Sequence, residues 1–138
     1  MSNYYTLQNA IISGVLSQSI DTGTAVKIID STTEYIQPVT AVTDDWCGVL
    51  MGTETVTNAS GSTCNVALKT GGNVVKVKLG STAYKGQALI TNASGIFVSG
   101  SYTLQNSGST GPTNTWKISD AIALQSGVTN DLIIAKIK

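Results

Sequence analysis

Asp44 and Asp45 stand side by side directly ahead of Trp46 and form the one acidic pair of the chain. Two carboxylates can share a proton or hold a divalent cation when their oxygens converge. Neighbouring residues of an extended strand point to opposite faces, so this pair reads instead as a solvated turn leading into a strand. Cys47 and Cys64 are the two thiols, and the sequence contains no histidine. Two cysteines alone do not complete a four-ligand zinc site, so no metal or other cofactor is expected. Hydroxyls are abundant, yet without histidine a serine or threonine nucleophile would need lysine as its base, and no Ser-x-x-Lys occurs. Gly71, Gly72, Gly80, Gly86 and Gly95 precede no helix and no Gly-Lys-Ser/Thr, which makes them turn glycines rather than a phosphate cradle. An enzyme is therefore not expected.

The elements that would position any site are strands. Short β-branched runs recur along the chain, among them Ala25–Ile29, Glu34–Ile36, Trp46–Leu50, Cys64–Lys69, Val74–Leu79, Ala88–Ile90, Ile96–Val98 and Leu132–Ile137. Gly, Asn, Ser and Thr clusters separate them. This rhythm predicts an all-β fold, a compact barrel or sandwich of about eight short strands. In Val75-Lys76-Val77-Lys78-Leu79 the apolar residues share one face and the lysines the other, and the C-terminal strand keeps the same phase. Thr70-Gly71-Gly72 between two runs predicts a β-hairpin over residues 64–79.

At 138 residues the chain is long enough for one domain with a core of its own. Hydrophobic residues make up 41% and charged ones 12%, far from the composition of a disordered chain. Eight cations, all lysine, balance eight anions. With no arginine fork and no basic stripe, nucleic acid is not an expected partner. No apolar run approaches about 18 residues, and Met1 to Thr6 lacks the charged flank and apolar stretch of an export signal. A soluble, unexported chain without a membrane partner follows, and its two cysteines are expected as buried thiols rather than a disulfide.

Residues 1–20 mix apolar Ile11, Ile12, Val15, Leu16 and Ile20 with weak helix formers, which predicts an extended N-terminal arm ahead of a β domain at 21–138. Residues 99–115, rich in Gly, Ser and Thr, predict one long exposed loop. Two pentapeptides recur. Thr57–Gly61 matches residues 91–95, read as two turns of one type, and Tyr5–Asn9 matches residues 102–106 without an evident reason. Trp46 is expected in the core. Tyr4, Tyr5 and Tyr102 lie where burial within one chain is harder to arrange, so they are candidates for contact with another chain.

The order of several segments resembles the head decoration, or capsid cement, proteins of tailed bacteriophages. These segments are Asn9-Ala10-Ile11-Ile12-Ser13-Gly14, Thr22-Gly23-Thr24-Ala25-Val26-Lys27-Ile28, Val39–Asp44 leading into Cys47-Gly48-Val49-Leu50-Met51, the hairpin, and Gly86–Ile90, together spanning residues 9–98. The resemblance implies a β-barrel or sandwich, often a homotrimer, seated on the outer surface of the virion's capsid and bound to the major capsid protein to stabilise the coat lattice. It also implies synthesis in the host cytoplasm. It assigns the contact to the arm, with Tyr4, Tyr5, Leu7, Ile11 and Ile12 as anchors. The alternative is a phage fibre or receptor- or glycan-binding β module that uses Tyr102, Trp116 and loop hydroxyls.

Overall fold

A computed structural model describes residues 11–29, 35–42, 44–52, 57–69, 73–105 and 115–138. Within them the chain is built of fourteen short strands and no helix, more strands than the eight runs that stand out in the sequence. Two sheets carry the fold. The first is a closed barrel of β1 (Ile11–Leu16), β4 (Tyr35–Pro38), β3 (Ala25–Ile29), β5 (Gly48–Leu50) and β7 (Thr63–Leu68), in that order around the ring. The second is an open sheet in the order β10 (Phe97–Ser99), β9 (Ala88–Thr91), β13 (Ala121–Ala123), β14 (Leu132–Ile137) and β8 (Val74–Lys78). Two ribbons complete it, β2 (Ile20–Asp21) with β6 (Thr57–Asn58) and β11 (Tyr102–Gln105) with β12 (Thr115–Ile118). Among the described residues, strands pair antiparallel except β1 with β4, and an isolated parallel bridge joins Leu79 to Phe97.

Alternation along the strands divides the apolar residues between two cores. Val26, Leu50, Val66, Cys64, Leu16 and Ile36 turn inward and fill the barrel. Their neighbours Ala25, Val49 and Ala67 face the other way and pack, with Trp46 and Val39, against the open sheet's Val75, Val77, Leu89, Phe97, Ile133, Ala135 and Ile137. Strand β5, with Ala25–Val26 of β3 and Val66–Ala67 of β7, is thus covered on both faces. The outward lysines of β8 and β14 keep the wet face that the sequence pattern predicts. Lys76 and Lys136 are exposed, and Lys78 is ion-paired with Asp21.

Four expectations change. Residues 11–20 are not an arm: β1 pairs with β7 from Ile11 opposite Ala67 to Val15 opposite Thr63, and Leu16 and Ile20 are buried in the barrel core. Ser13 sits on this strand's polar side, where its hydroxyl donates to the Asn65 side chain (2.8 Å). Residues 64–79 are not a hairpin, because β7 belongs to the barrel and β8 pairs with β14 at the edge of the other sheet. The chain crosses from one layer to the other there, and the Asn73 amide fastens the crossing by donating to the Leu68 carbonyl (2.7 Å). Residues 99–115 are not one loop, since Tyr102–Gln105 and Thr115–Ile118 pair as the β11–β12 ribbon, while residues 106–114 lie outside the described ones.

The recurring pentapeptides make different turns. Ser62 N–H donates to the Ala59 carbonyl, which sets Gly61 third in its turn (φ 82°). Gly95 N–H donates to the Asn92 carbonyl, which sets Gly95 fourth (φ 76°), while the Asn92 carboxamide oxygen accepts from Ser94 and Ile96 N–H. Asn58 instead turns inward and donates to the Ile20 carbonyl and the Thr22 hydroxyl, both at 3.1 Å. The first turn connects β6 to the barrel and the second closes the β9–β10 hairpin, so the flanking strands select the turn.

Candidate functional site

Of the residues proposed for contact, Tyr4, Tyr5 and Leu7 lie outside the described ones. Ile11 opens β1 and is 49% exposed, whereas Ile12, opposite Val66, packs on the barrel core. Both are barrel residues, so neither acts as the anchor of a free arm. Tyr102 and Trp116 are brought onto one ribbon. The register sets Tyr102 opposite Ile118 and Leu104 opposite Trp116. Tyr102 is 37% and Ile118 46% exposed. The Tyr102 hydroxyl donates to the Thr91 carbonyl (3.4 Å), and burial, then the nearby Asp120 charge, pushes its pKa above the usual tyrosine value. The ribbon is moored at its base by Asp120, whose carboxylate accepts from Thr91 N–H (2.9 Å) and meets the Lys69 ammonium at 4.0 Å.

A groove of about 460 Å³ was not anticipated from sequence. Val74 and Lys76 of β8, Leu132 of β14, and Thr22, Met51 and Gly52 line it. Val74 is 54% exposed there, beside the exposed side chains of Met51 and Leu132. The signal was present, because Val74 shares its phase with Lys76 and Lys78 and is thus an apolar residue on the wet side of the strand. A second apolar patch lies at one end of the open sheet, where the Ala83–Gly127 bridge joins the loops that carry Tyr84, Leu124 and Val128, all exposed. Both features suit contact with another surface.

The groups with chemical potential are occupied structurally. One Asp44 oxygen accepts from the Lys27 ammonium (2.9 Å), Thr40 N–H (2.9 Å), the Thr40 hydroxyl (3.0 Å) and Ala41 N–H (3.2 Å). Lys27, then the Thr40 amide, holds its pKa well below the carboxylate range. Asp44 therefore pins the 40–44 turn, a tighter role than the solvated turn expected. Trp46 is buried, edge-on to Phe97 with ring centroids 5.8 Å apart, and the Lys69 ammonium sits 4.4 Å above its ring. Cys47, just ahead of β5, and Cys64, on β7, are free thiols, and burial raises both above the usual thiol pKa, which disfavours the reactive thiolate. Among the described residues no three His, Cys, Asp or Glu side chains cluster closely enough to hold a metal.

No family model matches the sequence, and neither does any curated protein. The fold is found again in a crystal structure, the N base of head fiber gp8.5 of bacteriophage phi29. The two superpose with a TM-score of 0.60 over 94% of this chain and 93% of that one, at 13% identity. The likeness spans essentially the whole of both chains and is one of fold.

Proposed function

We propose that this chain is a structural protein of a bacteriophage virion, a decoration module that binds the outside of the head through the major capsid protein and stabilises the coat lattice. The observation that carries the reading is the near end-to-end likeness of fold to the base of a phage head fiber. The surface is consistent with a docking role. Charged residues are sparse at 12%, so few ions would lose their water on contact, and apolar side chains stand out along the β8 groove and at the Tyr84–Val128 end. The role needs no turnover, cofactor, nucleic acid or membrane, and a homotrimer seated on the outer shell of particles assembled in the host cytoplasm would fit it. The fiber base favours a second reading, in which this domain anchors a fibre or a receptor- or glycan-binding module, with the ribbon of Tyr102 and Trp116 as its contact.

Co-sedimentation with undecorated heads of the phage that carries the chain tests the first reading. Saturable binding at micromolar chain is expected, and loss of that binding on Val74→Lys or Tyr84→Asp would assign the face. No binding to heads, together with retention on a glycan array, would replace the first reading by the second.

A further inference from the structure

β8 is the last strand of the open sheet, and among the described residues no strand lies along its outer edge. Hydrogen bonds at its two ends tell which groups that edge presents. The Asn73 carbonyl accepts from Ile137 N–H (2.8 Å) and Leu79 N–H donates to the Asp131 carbonyl (2.9 Å), so both residues bond toward the β14 side. Backbone direction alternates along an antiparallel strand. Val75 and Val77 therefore also face β14, while Val74, Lys76 and Lys78 turn their N–H and C=O groups outward.

One of these outward groups is taken, because Lys78 N–H donates to the Gly23 carbonyl (3.0 Å). Gly23 stops the edge at that end, and a β-carbon there would lie 2.5 Å from the Lys78 nitrogen, so glycine is what permits the approach. The open part of the edge is thus Val74 and Lys76. The same two residues line the groove described above, with Met51 and Leu132 as its other exposed apolar walls. We infer that this edge takes an extended acidic segment of a partner protein as a sixth strand of the sheet.

Strand addition draws affinity from main-chain hydrogen bonds and specificity from side chains. Here charge selects the occupant. Opposed residues of paired strands share a face, so Lys136, opposite Val74, stands on the same outer face as Lys76 and Lys78. The ion pairs of the described residues join Lys27 to Asp44, Lys69 to Asp120 and Lys78 to Asp21, which leaves the exposed Lys76 and Lys136 without one. A lysine on an edge strand opposes self-pairing. Joining β8 to β8 of a second copy would crowd the lysines of both edges onto one face, like charge against like. A partner strand with a carboxylate opposite Lys76 and an apolar residue two positions on, opposite Val74, turns that repulsion into attraction and covers the exposed valine.

The probe is an end-capped, fluorescein-labelled peptide, Thr-Glu-Thr-Leu-Thr-Glu-Thr, titrated with the full chain and followed by anisotropy beside its cationic counterpart, Thr-Lys-Thr-Leu-Thr-Lys-Thr. Saturable binding of the acidic peptide at sub-millimolar concentration is expected, about fivefold or more tighter than that of the cationic one. Lys76→Glu should reverse this order and Lys76→Gln narrow it, while Lys85→Glu, in an exposed turn, should keep it. In amide exchange followed by NMR, bound peptide is expected to slow Val74 and Lys76, whose neighbours Val75 and Val77 are already protected by β14. No binding at millimolar peptide, equal binding of the two peptides, or an order unmoved by Lys76→Glu overturns the inference. So does binding that leaves the Val74 and Lys76 amides exchanging as in the free chain, a contact by charge alone. Slowing of those amides by raised chain concentration without peptide would give the edge to a second copy and overturns it too. Neither heads nor glycans enter these readouts, so the inference stands or fails independently of the proposed function.

Discussion

Phe97→Ala probes the joint between the two layers. Phe97 is fully buried on β10 of the open sheet, and its ring meets the edge of Trp46, which belongs to the segment entering barrel strand β5. Removing a buried phenyl ring costs about 3–5 kcal/mol in lost transfer energy and residual cavity, and the edge-on contact accounts for about 0.5–1.5 kcal/mol of that. For a chain of this length the unfolding entropy is roughly 0.3 kcal/mol/K, so the midpoint temperature should fall by about 10–17 °C. Urea unfolding, followed both by tryptophan fluorescence and by far-ultraviolet circular dichroism, is the assay. Because the same core holds barrel and sheet, the two signals should shift together in a single transition, with a midpoint lowered by about 2 M at an m-value near 2 kcal/mol/M. A double-mutant cycle with Trp46→Ala should return a coupling of about 0.5–1.5 kcal/mol. A loss below about 1 kcal/mol, or a sheet that melts while the barrel signal persists, would refute the shared core.

Two further outcomes rest on local geometry. Gly61 and Gly95 both have positive φ, but a β-carbon at Gly61 meets nothing within 4 Å, while one at Gly95 would lie 2.5 Å from the Ala25 carbonyl oxygen. Gly61→Ala should cost about 1–2 kcal/mol, the left-handed penalty alone, and Gly95→Ala distinctly more in thermal unfolding, although the two pentapeptides are identical. Asp44 has a folded pKa below its ordinary value, so its contribution to stability is present above about pH 4 and is lost as the pH falls through the lower folded value. Asp44→Asn should therefore be less stable than the parent at pH 7, with the gap narrowing steadily as the pH falls below about 4 in urea titrations. A gap independent of pH would mean that the carboxylate's charge is not what pins the turn.

The sequence by itself determined the class of fold and the facing of the regular strands. Alternation in Val75–Leu79 and in the last strand is a period-two pattern carried by neighbouring residues, and the structure keeps both faces as read. Extended by one residue, the same phase puts Val74 on the wet side, a signal the sequence reading did not use, and the structure makes it an exposed wall of the groove. It could not determine which strands pair. β7 and β8 are adjacent in sequence with Thr70-Gly71-Gly72 between them, yet they lie in different sheets, because each pairs with partners elsewhere in the chain, β1 and β5 for one and β14 for the other. Ile11–Leu16 looked like an arm because Ser13 and Gly14 dilute its hydrophobicity, and only closure of the barrel supplies the parallel neighbour and the core that make it a strand. The two Asn-Ala-Ser-Gly segments put the point most sharply. Their local chemistry is identical, and the register of the strands on either side decides which turn each becomes, since backbone hydrogen bonds across the sheet outweigh a turn's own preference.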